Sequence, residues 1–105
     1  MSKVYKVELT DIAHEDIEDI VSYIAKDLQE PAIARRIHAK IVSELKKLSA
    51  MPERHALAID THLHSLDVRP FYIDNYIAPY IILEEKNTVL ILRVLYARRD
   101  WKNLL

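Results

Sequence analysis

Apolar and polar positions alternate over residues 3–9, with Tyr5, Val7 and Leu9 on one side and Lys6 and Glu8 on the other. A period of two predicts a half-buried strand. From residue 11 the period lengthens, and Ala13, Ile17, Ile20, Ile24 and Leu28 recur at helical spacing, which predicts a helix over 11–28. Thr10 stands where an N-cap belongs, and Asp11, Glu15 and Asp16 bring negative charge to the positive end of the helix dipole. Pro31 suits the first turn of a new helix and disfavours helix at Glu30. A second apolar stripe, Ala34, Ile37, Ile41, Leu45 and Leu48, carries that helix to just before Met51-Pro52. Two amphipathic helices joined by so short a link predict an antiparallel hairpin.

Residues 52–65 show no regular period and hold His55, His62 and His64, which reads as a surface loop. Strand patterns then dominate over 66–73, 76–83 and 88–96, separated by Asp74-Asn75 and by the polar run Glu84-Glu85-Lys86-Asn87. Pro79 has no N–H to give a ladder, so the second of these strands is expected at a sheet edge or bulged. The order β-α-α-β-β-β predicts an α+β fold, a small and mostly antiparallel sheet with the helical hairpin on one face. With 105 residues, half of them apolar, one core and a single domain over 1–105 are expected.

The sequence contains neither cysteine nor glycine. Lack of cysteine removes disulfides, thiolate metal sites and a cysteine nucleophile, and lack of glycine removes the Gly-rich loops that cradle phosphates. No apolar run resembles a signal peptide or reaches the length of a membrane span, so a cytoplasmic protein without a membrane partner is expected.

The formal charge of −1 conceals a segregation: residues 1–30 hold eight acids and three bases, whereas 31–105 hold eight acids and twelve bases. The later part suits anionic partners. Its densest cluster combines Arg93, Arg98, Arg99 and Lys102 with Tyr96 and Trp101. Guanidinium groups hold phosphates and carboxylates bidentately, and aromatic rings stack on bases. A structural reading stands beside that one: Arg93 on a solvated strand face, Asp100 paired with Arg98 or Arg99, and Trp101 covering the end of the core. Arg54-His55 sets a group that titrates near neutrality beside an anion-binding one, and Arg69 lies at the centre of the 66–73 strand. His14, Glu15, Asp16, Glu18 and Asp19 read as the solvated outer face of the first helix. The five histidines lack metal-ligand spacing, and no metal or cofactor is expected.

In order, the strand 5–10, the helix 16–24, the run Leu48-Ser49-Ala50-Met51-Pro52-Glu53-Arg54, the triplet Asn75-Tyr76-Ile77 and the ending Leu92-Arg93-Val94-Leu95-Tyr96-Ala97-Arg98-Arg99-Asp100-Trp101 resemble the RelE/ParE superfamily of prokaryotic type II toxin–antitoxin toxins. The ending is the most specific part. The resemblance implies a growth inhibitor neutralised by a cognate antitoxin, with operator DNA met only through that antitoxin. RelE-like members are metal-independent endoribonucleases that cut mRNA on the ribosome; ParE-like members bind DNA gyrase. If the chain is a nuclease, the resemblance places Arg54, His55, Arg69, Tyr96 and Arg99 around the scissile phosphate. If it is a binder, Arg69, Arg93, Arg98, Arg99 and Trp101 meet the target or the antitoxin, and the grooves beside the helical hairpin together with the basic face of the sheet are expected to accept an amphipathic acidic antitoxin segment. RelE-like nucleases usually carry arginine after the aromatic residue that opens the 76–83 strand, where this sequence has Ile77. They often carry a tyrosine or histidine near the C-terminus, where it reads Asn103-Leu104-Leu105. These departures, with the length of the two helices and the ending from Arg93 to Trp101, favour the ParE-like class, although that class often has histidine at the position of Tyr96. Pro79 replaces an aromatic residue common to both classes. A degenerate module that binds antitoxin without toxicity is the further alternative.

Overall fold

The structure, a computed structural model, describes residues 3–105. Strand β1 (Lys6–Leu9) leads into helix α1 (Asp11–Ser22), whose first turn is capped by the Thr10 hydroxyl accepting the Ala13 N–H at 3.1 Å. The same hydroxyl donates to Leu92 O at 2.8 Å, so one side chain both caps the helix and pins it to the far end of the chain. The helix expected to run to residue 28 changes character: Tyr23–Asp27 form a single π-type turn, closed by Leu28 N–H to Tyr23 O at 3.1 Å, and Gln29 then takes a left-handed φ of 54°. Helix α2 (Pro31–Lys46) follows with proline in its first turn and packs on α1 as the expected hairpin.

The region read as a loop holds more structure than its pattern suggests. Pro52–Arg54 form a 3-10 turn, and Asp60 caps a short helix α3 (Thr61–Ser65) through its carboxylate and the Leu63 N–H at 3.0 Å. The three strands expected after it become five: β2 (Tyr72–Ile73), β3 (Tyr76–Ile77), β4 (Tyr80–Leu83), β5 (Thr88–Ile91) and β6 (Leu95–Tyr96). Each break has a local cause. Asp67 adopts φ 60° and Pro70 lacks a donor, so pairing over 66–71 shrinks to one bridge between Arg69 and Tyr80. Pro79 splits the 76–83 strand. Between Ile91 and Leu95 the chain leaves the ladder, because Val94 N–H goes to the Asp16 carboxylate at 3.0 Å.

The strands form two sheets of three, ordered β1-β5-β4 and β2-β3-β6. Among the described residues only β1 and β5 run parallel; the other pairings are antiparallel. The mixed α+β architecture with a hairpin and a mostly antiparallel sheet is thus present, divided in two where Ala78-Pro79 and Leu92–Val94 interrupt it. Strand alternation sends side chains to two apolar clusters. One lies under the hairpin and joins Tyr5, Ile17, Ile41, Leu45, Ile73, Tyr80, Val89 and Ile91. The second, on the opposite strand face, joins Ala58, Leu63, Val68, Ile77, Leu95 and Trp101 beneath α3 and the C-terminal 3-10 turn Trp101–Leu104. No helix among the described residues is long and apolar enough to cross a membrane.

In a glycine-free chain the left-handed positions fall to Gln29, Met51, Asp67, Asp74 and Asn87. Three are Asp or Asn, whose short polar side chains tolerate this region best. Asp74 serves the tight turn between β2 and β3, and Asn87 the turn between β4 and β5.

Candidate functional site

The basic C-terminal segment divides into residues that build the fold and residues that face outward. Arg93, expected on a solvated strand face, is largely buried. Its Nε donates to Asp16 Oδ2 at 2.7 Å and its Nη2 to Asp16 Oδ1 at 2.9 Å, while Nη1 donates to Leu104 O at 3.1 Å. The side chains of this pair are 15% and 10% exposed. The Asp16 hydrogen bonds raise the Arg93 pKa above its ordinary value, against the opposing effect of burial. Asp16 itself does not belong to a solvated face: its carboxylate holds a guanidinium and a backbone N–H at once. Trp101, 8% exposed, closes the second apolar cluster.

Arg98 and Arg99 lie on a turn closed by Arg99 N–H to Tyr96 O at 3.0 Å, and both are exposed. Neither makes an ion pair among the described residues, and Asp100 accepts instead from Asn103 Nδ2 at 2.5 Å. These two arginines are available to a partner. Tyr96 pairs across the ladder with Tyr76, their ring centroids 6.0 Å apart and tilted by 62°.

A second group gathers around residues 53–55. Arg69 Nη1 donates to His55 O at 2.5 Å and to Glu53 O at 3.1 Å, holding the 3-10 turn against the sheet, and Arg54 Nη2 reaches Ala50 O at 3.5 Å. The His55 ring packs on Phe71 at 4.9 Å and near Tyr80 at 6.5 Å. Burial first, and then the charges of Arg54 and Arg69, hold its pKa below the usual imidazole value. Tyr80 donates its buried hydroxyl to Pro52 O at 2.6 Å, and burial pushes its pKa up to about 12.

Two concavities separate these groups. A groove of about 690 Å³ runs between the hairpin and the β3–β6 pair, lined by Tyr23, Leu28, Ile33, Tyr76 and Tyr96 with Asp19 and Glu30 at its rim. A smaller cavity of about 320 Å³ lies over the second cluster, lined by His55, Ile59, Tyr72, Trp101 and Lys102. Of the residues grouped by sequence, Arg54, His55 and Arg69 come together, whereas Tyr96 opens on the other groove. Among the described residues, no group of three or more His, Asp or Glu is placed to hold a metal ion.

Sequence reasoning missed Asp16 as an anchor, although it had a signal: Asp16 lies three residues after Ala13 and directly before Ile17, on the border of the apolar stripe. A groove beside the hairpin was expected from the sequence, but its lining was not, because the π-type turn that brings Tyr23 and Leu28 outward carries no periodic mark.

A family model described as the ParE toxin of the parDE type II toxin–antitoxin system matches residues 7–101. Among solved structures, the chain is similar to one from the chromosomal ParDE toxin–antitoxin system of P. aeruginosa, with a TM-score of 0.74, 20% identity, and coverage of 92% of this chain and 100% of that one. It is also similar to a chain of the RelBE2 toxin–antitoxin complex of Mycobacterium tuberculosis, with a TM-score of 0.65, 26% identity, and coverage of 89% and 91%. No curated protein matches.

Proposed function

Because the chain belongs to the ParE toxin family of type II toxin–antitoxin systems, we propose that it inhibits growth by binding DNA gyrase, and that a cognate antitoxin neutralises it. The observation that carries this reading is Ile77. It occupies the position where RelE-like nucleases usually place an arginine, and it is 0% exposed, in the same cluster as Leu63, Val68, Leu95 and Trp101. A guanidinium there would be buried away from any phosphate, at a cost of several kcal/mol. Tyr96 opens on the hairpin groove while His55 lines the smaller cavity, so those two nuclease candidates do not share one pocket.

The surface free for partners supports binding more than catalysis. Arg98 and Arg99 offer two unpaired guanidinium groups to a carboxylate-bearing protein. The hairpin groove, apolar along its length, suits the apolar face of an antitoxin helix. Its acidic rim at Asp19 and Glu30 asks for basic residues flanking that face, while Arg98 and Arg99 take the acidic part of the same chain.

The ribonuclease reading draws on one observation, the His55 imidazole kept neutral beside Arg54 and Arg69. Mapping mRNA 5′ ends after induction separates the two. The gyrase reading predicts no new in-frame cuts and an accumulation of gyrase-linked DNA breaks; fresh cuts at codon boundaries would reverse it. Growth unaffected by expression of the chain alone would leave the degenerate, antitoxin-binding module.

A further inference from the structure

Beyond Ala97, whose N–H donates to Asn75 O at 2.8 Å, the C-terminal segment is bonded mainly to itself. Arg99 N–H goes to Tyr96 O at 3.0 Å, Trp101 N–H to Arg99 O at 2.7 Å and Asn103 N–H to Asp100 O at 3.3 Å. Each of these bonds starts and ends between residues 96 and 103. Among the described residues, one hydrogen bond ties the segment after Ala97 back to the body: Leu104 O accepts from Arg93 Nη1 at 3.1 Å. Trp101 and Leu104 add apolar contact with the second cluster. Arg98 and Arg99 therefore ride on a span held at Ala97 and at Leu104, and a terminal span keeps its place only where it is tied down.

Arg93 can make that tie because of its shape. Its Nε and Nη2 form one edge of the guanidinium and both bond Asp16, while Nη1, at a different corner, reaches Leu104 O. The planar fork fixes these directions. Asp16 belongs to α1, which packs on α2, and its carboxylate also accepts from Val94 N–H. A continuous line of bonds thus runs from the helical hairpin through Asp16 and Arg93 to the far end of the span that carries the two free arginines. With all three of its nitrogens engaged and its side chain 15% exposed, Arg93 contributes to binding through what it holds and not through what it touches.

We propose that Arg93 is a positioning residue for antitoxin binding: through Leu104 it keeps the span 97–104 in place and so presents Arg98 and Arg99 already ordered to the carboxylates they take. This rests on the reading that those two arginines meet the acidic part of the antitoxin. On a loose span, two long side chains and their backbone have to be ordered as the partner arrives, which weakens binding without removing a contact.

The test measures the affinity of the full-length toxin for its purified cognate antitoxin by calorimetry, with Arg93→Lys as the informative variant. Lysine keeps a cation for Asp16, so the ion pair and most of the thermal stability survive, but one ammonium cannot serve acceptors at two corners of the former guanidinium. Trp101, the sole tryptophan, lies on the span and reports its order through acrylamide quenching. Quenching should rise in Arg93→Lys and stay unchanged in the Arg98→Ala, Arg99→Ala chain. Arg93→Lys should lower the affinity about tenfold while Arg98 and Arg99 are present, and should change nothing once both are alanine. If the lysine variant folds poorly, Asp16→Leu with Arg93→Met, which removes both charges, carries the same comparison.

A residue that only holds the fold together weakens both backgrounds alike, and that result overturns the inference. So does full affinity in folded Arg93→Lys, or Trp101 quenching no greater than in the unsubstituted chain. Full affinity after Arg98→Ala and Arg99→Ala alone rejects the reading on which the inference rests, and the inference falls with it.

Discussion

Arg93 and Asp16, separated by 77 positions in sequence, form a bidentate ion pair that fastens the C-terminal segment to the first helix. A single carboxylate orients the guanidinium and also takes the Val94 N–H, so it fixes the place where the chain leaves one sheet and enters the other. Removing one partner leaves an uncompensated charge in a largely buried place. Asp16→Ala is expected to lower stability by about 3 kcal/mol in urea unfolding. The double variant Asp16→Leu, Arg93→Met should recover most of that loss, because it removes both charges. If Asp16→Ala proves nearly neutral, the pair does not hold the segment.

Ile77 provides the second expectation. Ile77→Arg, which writes the nuclease-class residue into this chain, sets a guanidinium among Leu63, Val68 and Leu95. A loss of more than about 4 kcal/mol, or failure to fold, is expected. A folded Ile77→Arg protein with normal thermal stability would mean that the position opens to solvent, and the main structural objection to the nuclease reading would go with it.

His55 sets the acid side of the stability profile. Burial and the cations Arg54 and Arg69 disfavour its imidazolium, so its folded pKa lies below its ordinary value of 6.5. The unfolded chain then binds the proton more tightly, and the contribution of His55 is complete above pH 6.5, falling as the pH drops from there toward the folded pKa. His55→Gln should flatten that part of the curve. In NMR titration, Arg54→Ala should move the His55 midpoint upward; an unchanged midpoint would remove Arg54 from the list of causes.

Tyr80 sets the alkaline side. Its hydroxyl donates to Pro52 O, and burial raises its pKa from 10.0 to about 12. A phenol whose folded pKa is raised contributes stability below its unfolded pKa and loses it as the pH climbs through the folded value. Stability should therefore fall between pH 10 and about 12. Tyr80→Phe should remove the hydroxyl's share of that fall and cost about 1 kcal/mol at neutral pH.

The sequence pattern reads well where one periodicity governs a segment. Strand β1 and the hairpin have clean apolar spacing, a capping threonine and a first-turn proline, and they form as expected. It reads poorly where a single tertiary bond competes with the local pattern. The apolar runs of 76–83 and 88–96 are continuous in sequence, yet Pro79 removes one ladder donor and Asp16 captures another at Val94. The short helix α3 was hidden because one turn with a single apolar residue, Leu63, has no period to detect; only its Asp60 cap marked it. For the site, residue type revealed the basic segment but not its division. Arg93 and Arg98 look alike in sequence, and only the partner supplied by α1 makes one structural and leaves the other free.

Supercoiling by purified DNA gyrase tests the central claim most directly. With increasing amounts of the purified toxin, relaxed plasmid should fail to become supercoiled, cleavage complexes should appear, and an equimolar amount of its cognate antitoxin should restore activity. Full supercoiling at a large excess of folded toxin, with no cleavage complexes, would contradict it.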